Sequence, residues 1–122
     1  MRIAWAAAPG AHGDALAHQL RLMGHDVQRG EGESVHVLVD DAAVDVPRSL
    51  RRAPVVLQVS EATAPSALDG LPRARIGLAP NAEAEQRLAA TRAARDWRIV
   101  DAAGIEEEAW LVERAHEDAR SS

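Results

Sequence analysis

Apolar and polar positions along the chain come in blocks. Six short apolar runs each end in a small or polar residue, and a helix-like stretch or a loop usually follows. They are Arg2–Ala6, Asp26–Arg29, Val35–Asp40, Val55–Ser60, Arg75–Ala79 and Trp97–Asp101. Val35-His36-Val37-Leu38-Val39 and Val55-Val56-Leu57-Gln58-Val59 are too continuously apolar for strands with one wet face. They read as strands buried on both sides, which a parallel sheet sandwiched between helices requires. The pattern predicts a three-layer α/β/α domain with a mainly parallel sheet of about six strands.

The intervening segments carry helix and turn signals. Asp14 is placed to cap a helix from Ala15 to about Met23, with Gly24 where a C-cap glycine belongs. Leu16, Leu20 and Met23 form its core stripe, and Asp14, His18, Arg21 and His25 a wet stripe. Gly30-Glu31-Gly32-Glu33 reads as a turn. Pro47 opens a short helix through Arg52, and Ser60–Asp69 is a loop with one helical turn around Pro65–Leu68. Asn81 caps a helix that runs to about Arg95, with Glu83 and Glu85 early and Arg92 and Arg95 late, as the dipole favours. The last helix spans about Ile105–Ala119. It opens on Glu106-Glu107-Glu108 and gathers Ile105, Ala109, Val112 and His116 on one face, with Trp110 near its edge. Residues 1–120 are expected to form a single domain and Ser121-Ser122 a frayed tail.

Composition narrows the function classes. The chain has 122 residues, enough for one domain with a real core. It contains no long uncharged apolar stretch, so no membrane span is expected. The apolar segment after Arg2 is read as the first strand and not as a signal peptide. Cysteine is absent, which removes disulfides and thiolate metal sites, and without a leader a cytoplasmic location is expected. A net charge of −5, with both signs interspersed, disfavours nucleic acid as a partner. All 14 basic residues are Arg, so no lysine is available for a Schiff base or a phosphate-binding loop. With no Phe or Tyr, base stacking would fall to the 3 Trp or to Arg.

In open parallel sheets, ligands bind outside the carboxyl ends of the strands, where the strand order reverses. Four segments therefore become candidates: Ala7–Asp14, Asp40-Asp41, Ser60–Thr63 and Pro80-Asn81. The first leads into a helix N-terminus suited to an anion, and Gly10 and Gly13 belong to it. It is not the dinucleotide fingerprint, because Ala7 and Pro9 stand where the first two glycines would fall. His12 can serve as a general base, with Asp14 orienting it; the alternative is a solvated loop histidine. Asp40 and Asp41, with Asp45 nearby, can hold Mg²⁺ or cap the next turn. Ser60 and Glu61 make a polar lip or an N-cap, and Asn81 completes the ligand-binding set. His18 and His25 are seven apart, unlike metal ligands on one helix, so no metal is expected. His36 reads as a satisfied buried histidine, and His116 as a positive group at a helix end. The three Trp read as packing residues, with Trp110 alternatively marking a partner surface. No G-x-S-x-G elbow supports a serine hydrolase.

Several segments together resemble the N-terminal domain of B-type glycosyltransferases. Arg2-Ile3-Ala4-Trp5, the Pro/Gly loop, the Ala/Leu-rich helix and Met23-Gly24-His25-Asp26-Val27 are similar to that family's opening, which enters strand two through "R-G-H-E-V". Val35-His36-Val37 resembles its "V-I-H-x-H" strand, and Pro54–Ser60 its "P-V-V-x-T-x-H" strand. Ile76-Gly77-Leu78-Ala79 with Asn81–Leu88 resembles its "V-I-A-V-S" strand and the helix after it. Arg98–Glu106 resembles the closing "V-x-V-I-P-N-G-I-D" segment. The resemblance implies a Rossmann-like fold and an acceptor-side role, with His12 and the loops after strands three and four lining the site. The family carries a second domain for the nucleotide-sugar, which this sequence does not include. The catalytic histidine of one branch aligns with Pro9 and not with His12. The resemblance thus implies either a transferase half that works with a separate donor-binding subunit, or a non-catalytic module that pairs with itself or a partner. Neither reading calls for a cofactor. A second resemblance, to the NAD(P)-binding half of the hydroxyisobutyrate dehydrogenase family, rests on Ile3-Ala4-Trp5 through Val27, Asp40–Val44, Leu88-Ala89-Ala90 and Arg98–Ala102. It lacks the glycine fingerprint and leaves Val55–Ser60 as a surplus strand. A receiver-like signalling domain ranks third, because the acidic pair after strand one and a late Lys are both missing.

Overall fold

The computed structural model describes residues 1–7, 10–30, 32–39 and 53–121. Six strands form one all-parallel sheet in the order β2-β1-β3-β4-β5-β6. They are β1 (Arg2–Ala7), β2 (Asp26–Arg29), β3 (Ser34–Val39), β4 (Val56–Val59), β5 (Ala74–Ala79) and β6 (Ala94–Ile99). Among the described residues the helices are α1 (Ala11–Leu22), α2 (Ala82–Ala89) and α3 (Ile105–Ser121), with a single 3₁₀ turn at Pro65–Leu68. β3 and β4 are buried at every position, as their unbroken apolar runs imply.

Two cores follow from the alternation of side chains across the sheet. Ile3, Trp5, Leu38, Val56, Ile76 and Leu78 meet Leu16, Leu20, Ala109 and Val112 under α1 and α3. Ala4, Val35, Val37, Leu57 and Val59 meet Leu68, Ala84 and Leu88 under α2 and the 3₁₀ turn. The chain is therefore a three-layer α/β/α Rossmann-like domain. The expected helix at Pro47–Arg52 lies outside the described residues.

Several boundaries differ from those the sequence suggests, among them the sixth strand, expected at Trp97–Asp101 and found at Ala94–Ile99. The first helix starts at Ala11 with Gly10 at its N-cap, so Asp14 sits in the first turn and does not cap it. Gly13 permits the longer helix, because it is buried against β3 and a Cβ there would stand 3.3 Å from Leu38 Cδ2. At the other end, Gly24 takes φ 96°. Its N–H donates to Arg21 O, and that of His25 to Leu20 O, which is the paired helix-ending motif glycine allows.

The second difference lies at the end of α2. The helix stops at Ala89, and Ala94-Arg95, expected at its end, are spent on β6. Thr91 Oγ1 donates to Leu88 O at 2.6 Å and Arg92 adopts φ 58°. The chain then pairs with β5 from Ala74↔Ala94 to Ala79↔Ile99. A ladder of backbone hydrogen bonds outweighs a few tenths of a kcal/mol per residue of helix preference. Arg92 and Arg95 therefore lie beyond the helix, and Arg87 is the basic residue in its last turn. The third difference is at the C-terminus. α3 includes Ser121, whose hydroxyl donates to Glu117 O at 3.1 Å.

The link from β2 to β3 is only residues 30–33, yet it must cross β1. Parallel neighbours normally need a much longer crossover. Gly32 makes the short path passable: a Cβ there would lie 2.4 Å from Ala4 N and 2.8 Å from Ile3 C. These are backbone atoms in the middle of a sheet and cannot move aside. Gly32→Ala is expected to cost about 2 kcal/mol or more, seen as a lower urea midpoint with an unchanged slope. An unaltered midpoint would mean that the link does not press on β1.

Candidate functional site

The strand order reverses between β1 and β3; further along the same carboxyl edge, over β4 and β5, the described residues form a cleft of about 350 Å³. Its floor is the end of β4 and β5, with Gln58, Leu78 and Ala79. One rim is the segment Ser60-Glu61-Ala62 after β4. The other is built by His12 and Glu108, from the first turns of α1 and α3. The helices that cover this face both start at the carboxyl end of the sheet, which brings their N-termini together at the rim.

His12 and Glu108 form the rim's charged pair, with Nε2 and Oε2 2.6 Å apart. A carboxylate only accepts, so the proton sits on His12 Nε2. Glu108 also stands at a helix N-terminus, where the dipole favours a negative charge. The orienting carboxylate is thus Glu108 and not Asp14, which is exposed on α1. Sequence reasoning missed it because Glu108 is 96 residues from His12, inside an acidic run that reads as a helix start.

The opposite rim is held from beneath. Thr63 is fully buried; its hydroxyl donates to Val39 O at 2.7 Å and accepts from Ser60 N at 2.9 Å. Arg87 donates to Thr63 O and, at 2.9 Å, to Glu61 O. Asn81 accepts from Ala84 N at 2.9 Å, as an N-cap does, and donates to Glu61 Oε1 at 2.7 Å. Asn81 therefore works as a cap and a clamp on Glu61. Gly10 and Gly13 shape the start of α1. Asp40 and Asp41 lie outside the described residues.

Behind the floor runs a buried polar chain. Ser34 Oγ lies 2.5 Å from His116 Nδ1, His116 Nε2 lies 2.9 Å from His36 Nδ1, and His36 Nε2 lies 3.0 Å from Gln58 Oε1. Ser34, His36 and His116 are at most 1% exposed, and Gln58 is 4% exposed. Trp5, paired with His36 in the β1–β3 register, stacks on its ring at 4.8 Å with planes 5° apart. Burial away from water lowers the pKa of His36 to about 4 and that of His116 well below its usual value, with His36 and His25 adding to the latter. Both rings are neutral at pH 7. His36 is a satisfied buried histidine, as its place in an apolar strand implies. His116 is not the charged helix-end group the sequence suggests. It lies inside α3 and faces the sheet. His25 likewise leaves its expected wet stripe and meets Glu113 at 2.5 Å, so that a second His–Glu pair ties the start of β2 to α3.

Among the described residues no group of three or more His, Asp or Glu is arranged to hold a metal ion, and no helix is long and apolar enough to cross a membrane. Trp5 is core, Trp97 is partly buried over Gly77, and Trp110 is 49% exposed with Arg114 above its ring. Comparison with family models, with curated proteins and with solved structures finds no match for the chain.

The neutral imidazoles set an acid limit. In the unfolded chain they titrate near 6.5, whereas the folded chain keeps His36 unprotonated down to about pH 4. Between those values the unfolded state binds the extra protons, so stability falls as pH falls. His36 alone accounts for about 3 kcal/mol across that window. The unfolding free energy from urea titration is expected to decline steadily from pH 6.5 to 4. Equal values at pH 7 and pH 4.5 would refute the assignment of neutral rings.

Proposed function

We propose that this chain is an acceptor-side, glycosyltransferase-like binding module that takes a neutral, hydroxyl-rich ligand in the cleft over the ends of β4 and β5. The observation that carries the reading is the cleft itself: about 350 Å³ at the carboxyl end of a parallel sheet, with Gln58 on its floor and His12, Glu108 and Glu61 around it. The volume suits a monosaccharide-sized group. Two carboxylates at the rim disfavour an anionic ligand and offer acceptors to hydroxyls. Within this reading His12, its ring held by Glu108, is the group placed to draw a proton from a bound hydroxyl. Transfer itself would require a donor-binding unit outside this domain.

A second reading is a non-catalytic interaction module. It is favoured by the half-exposed Trp110 on α3, since aromatic side chains of this kind anchor protein interfaces.

One experiment separates the two. Amide spectra of the ¹⁵N-labelled chain are recorded with methyl α-D-glucopyranoside, UDP-glucose and NAD, together with the mass by light scattering. The transferase-like reading expects the neutral glucoside, and not the anionic nucleotide-sugar, to shift Ser60, Ala79 and Glu108. It also expects His12→Ala to weaken that response at least tenfold while changing stability by less than about 1 kcal/mol. A response to NAD alone would favour the dehydrogenase-like resemblance. Silence at the cleft, with a stable dimer that Trp110→Ala dissociates, would replace the binding reading with the interaction one.

A further inference from the structure

The buried chain behind the cleft has a direction, and the direction decides what the cleft offers a ligand. Each neutral imidazole carries one ring proton. The contact between His116 Nε2 and His36 Nδ1 holds a single proton, so both rings must adopt the same tautomer. In one arrangement Ser34 donates to His116 Nδ1, His116 Nε2–H donates to His36 Nδ1, and His36 Nε2–H donates to Gln58 Oε1. In the other every bond is reversed. Gln58 turns its amide over and donates to His36, and His116 Nδ1–H donates to Ser34 Oγ.

The two arrangements are not equivalent. Among the described residues His116 is the hydrogen-bond partner of the Ser34 hydroxyl. In the reversed chain that hydroxyl proton would be buried with no acceptor, a defect that native interiors avoid. The forward chain satisfies every member. It commits Gln58 Oε1 to His36 and turns the NH₂ away. That NH₂ has no protein acceptor among the described residues, yet the buried side-chain polar atoms without partners are His25 Nδ1 and Trp97 Nε1 only. Gln58 Nε2 is therefore open, and the open space beside Gln58 is the cleft. The ring stacking of Trp5 on His36 prevents the relay from tilting.

We propose that Ser34, His116 and His36 fix Gln58 as the hydrogen-bond donor on the cleft floor, which makes Gln58 the residue that selects an uncharged ligand oxygen, a hydroxyl or a carbonyl. Its ligand half rests on the binding reading given above; its structural half does not. The neutrality of both rings at pH 7 is what keeps the direction single, since a protonated imidazole would donate at both ends. Ser34, His116 and His36 are positioning residues, and Gln58 is the group that would touch the ligand.

Long-range ¹H–¹⁵N spectra of the histidine rings in the full chain at pH 7 test the direction without any ligand. The expected result is a proton on Nε2 of both His36 and His116. A proton on Nδ1 of either ring, or averaged nitrogen shifts, would overturn the proposal. A titration with methyl α-D-glucopyranoside then tests the ligand half. The Gln58 side-chain NH₂ resonances are expected to move together with the cleft amides, and Gln58→Glu to weaken binding about tenfold or more. Movement of the cleft amides while the Gln58 NH₂ stays still would overturn the donor role. Silence of every cleft group, with Nε2 tautomers confirmed, would overturn the carbohydrate reading and the ligand half, and leave the relay's direction established. Should Gln58→Glu fail to fold, the wild-type NH₂ resonances decide alone.

Discussion

Two uncharged imidazoles join the last helix to the middle of the sheet, and much of the architecture is arranged around keeping them satisfied. His116 reaches from α3, His36 from β3 and Gln58 from β4, with Ser34 closing one end and Trp5 of β1 lying flat on His36. Three elements thus meet in one line of hydrogen bonds, with a fourth stacked on it, inside an otherwise apolar layer. A polar group buried there without a partner costs about 1–3 kcal/mol, so the line also fixes how α3 sits on the sheet. A rotation of α3 by one residue would break both hydrogen bonds of His116.

The same helix brings the candidate cleft together. α1 and α3 cover one face and both begin at the carboxyl end of the strands, so residues far apart in the chain become neighbours at the rim. The His12–Glu108 pair joins the two helices there, and the His25–Glu113 pair joins the segment after α1 to α3 lower down. Between these pairs α1 and α3 are packed through Leu16, Leu20, Ala109 and Val112. The cleft is consequently bounded by side chains whose positions are set by helix packing on one side and by the Thr63–Arg87–Asn81 clamp on the other. Pre-formed, well-braced walls of this kind lower the ordering cost of binding.

The unusual economy of the β2–β3 link belongs to the same picture. Four residues suffice because Gly32 passes directly over the β1 backbone.

How much of this was legible follows from the range of each interaction. Apolar runs report burial locally, and they located the strands: Val35–Val39 and Val56–Val59 are buried throughout. Gly24 and Asn81 acted as the helix end and the helix start that their chemistry implies, because capping involves residues only a few positions away. Local preference failed where a partner strand competed. Ala94-Arg95 became strand once β5 offered its backbone, and His25 and His116 turned inward once Glu113 and Ser34 were beside them. Gln58 and Glu108 carried no usable signal, since one is a polar residue in an apolar strand and the other one acid among three. The sequence by itself determined the layers and the parallel sheet, both of which depend on periodicity and short-range hydrogen bonds. Only the tertiary structure decided the strand order, the carboxylate that pairs with His12, and the buried line that ends at Gln58. Each of these joins residues more than 20 positions apart, and no local pattern specifies which distant side chains will meet.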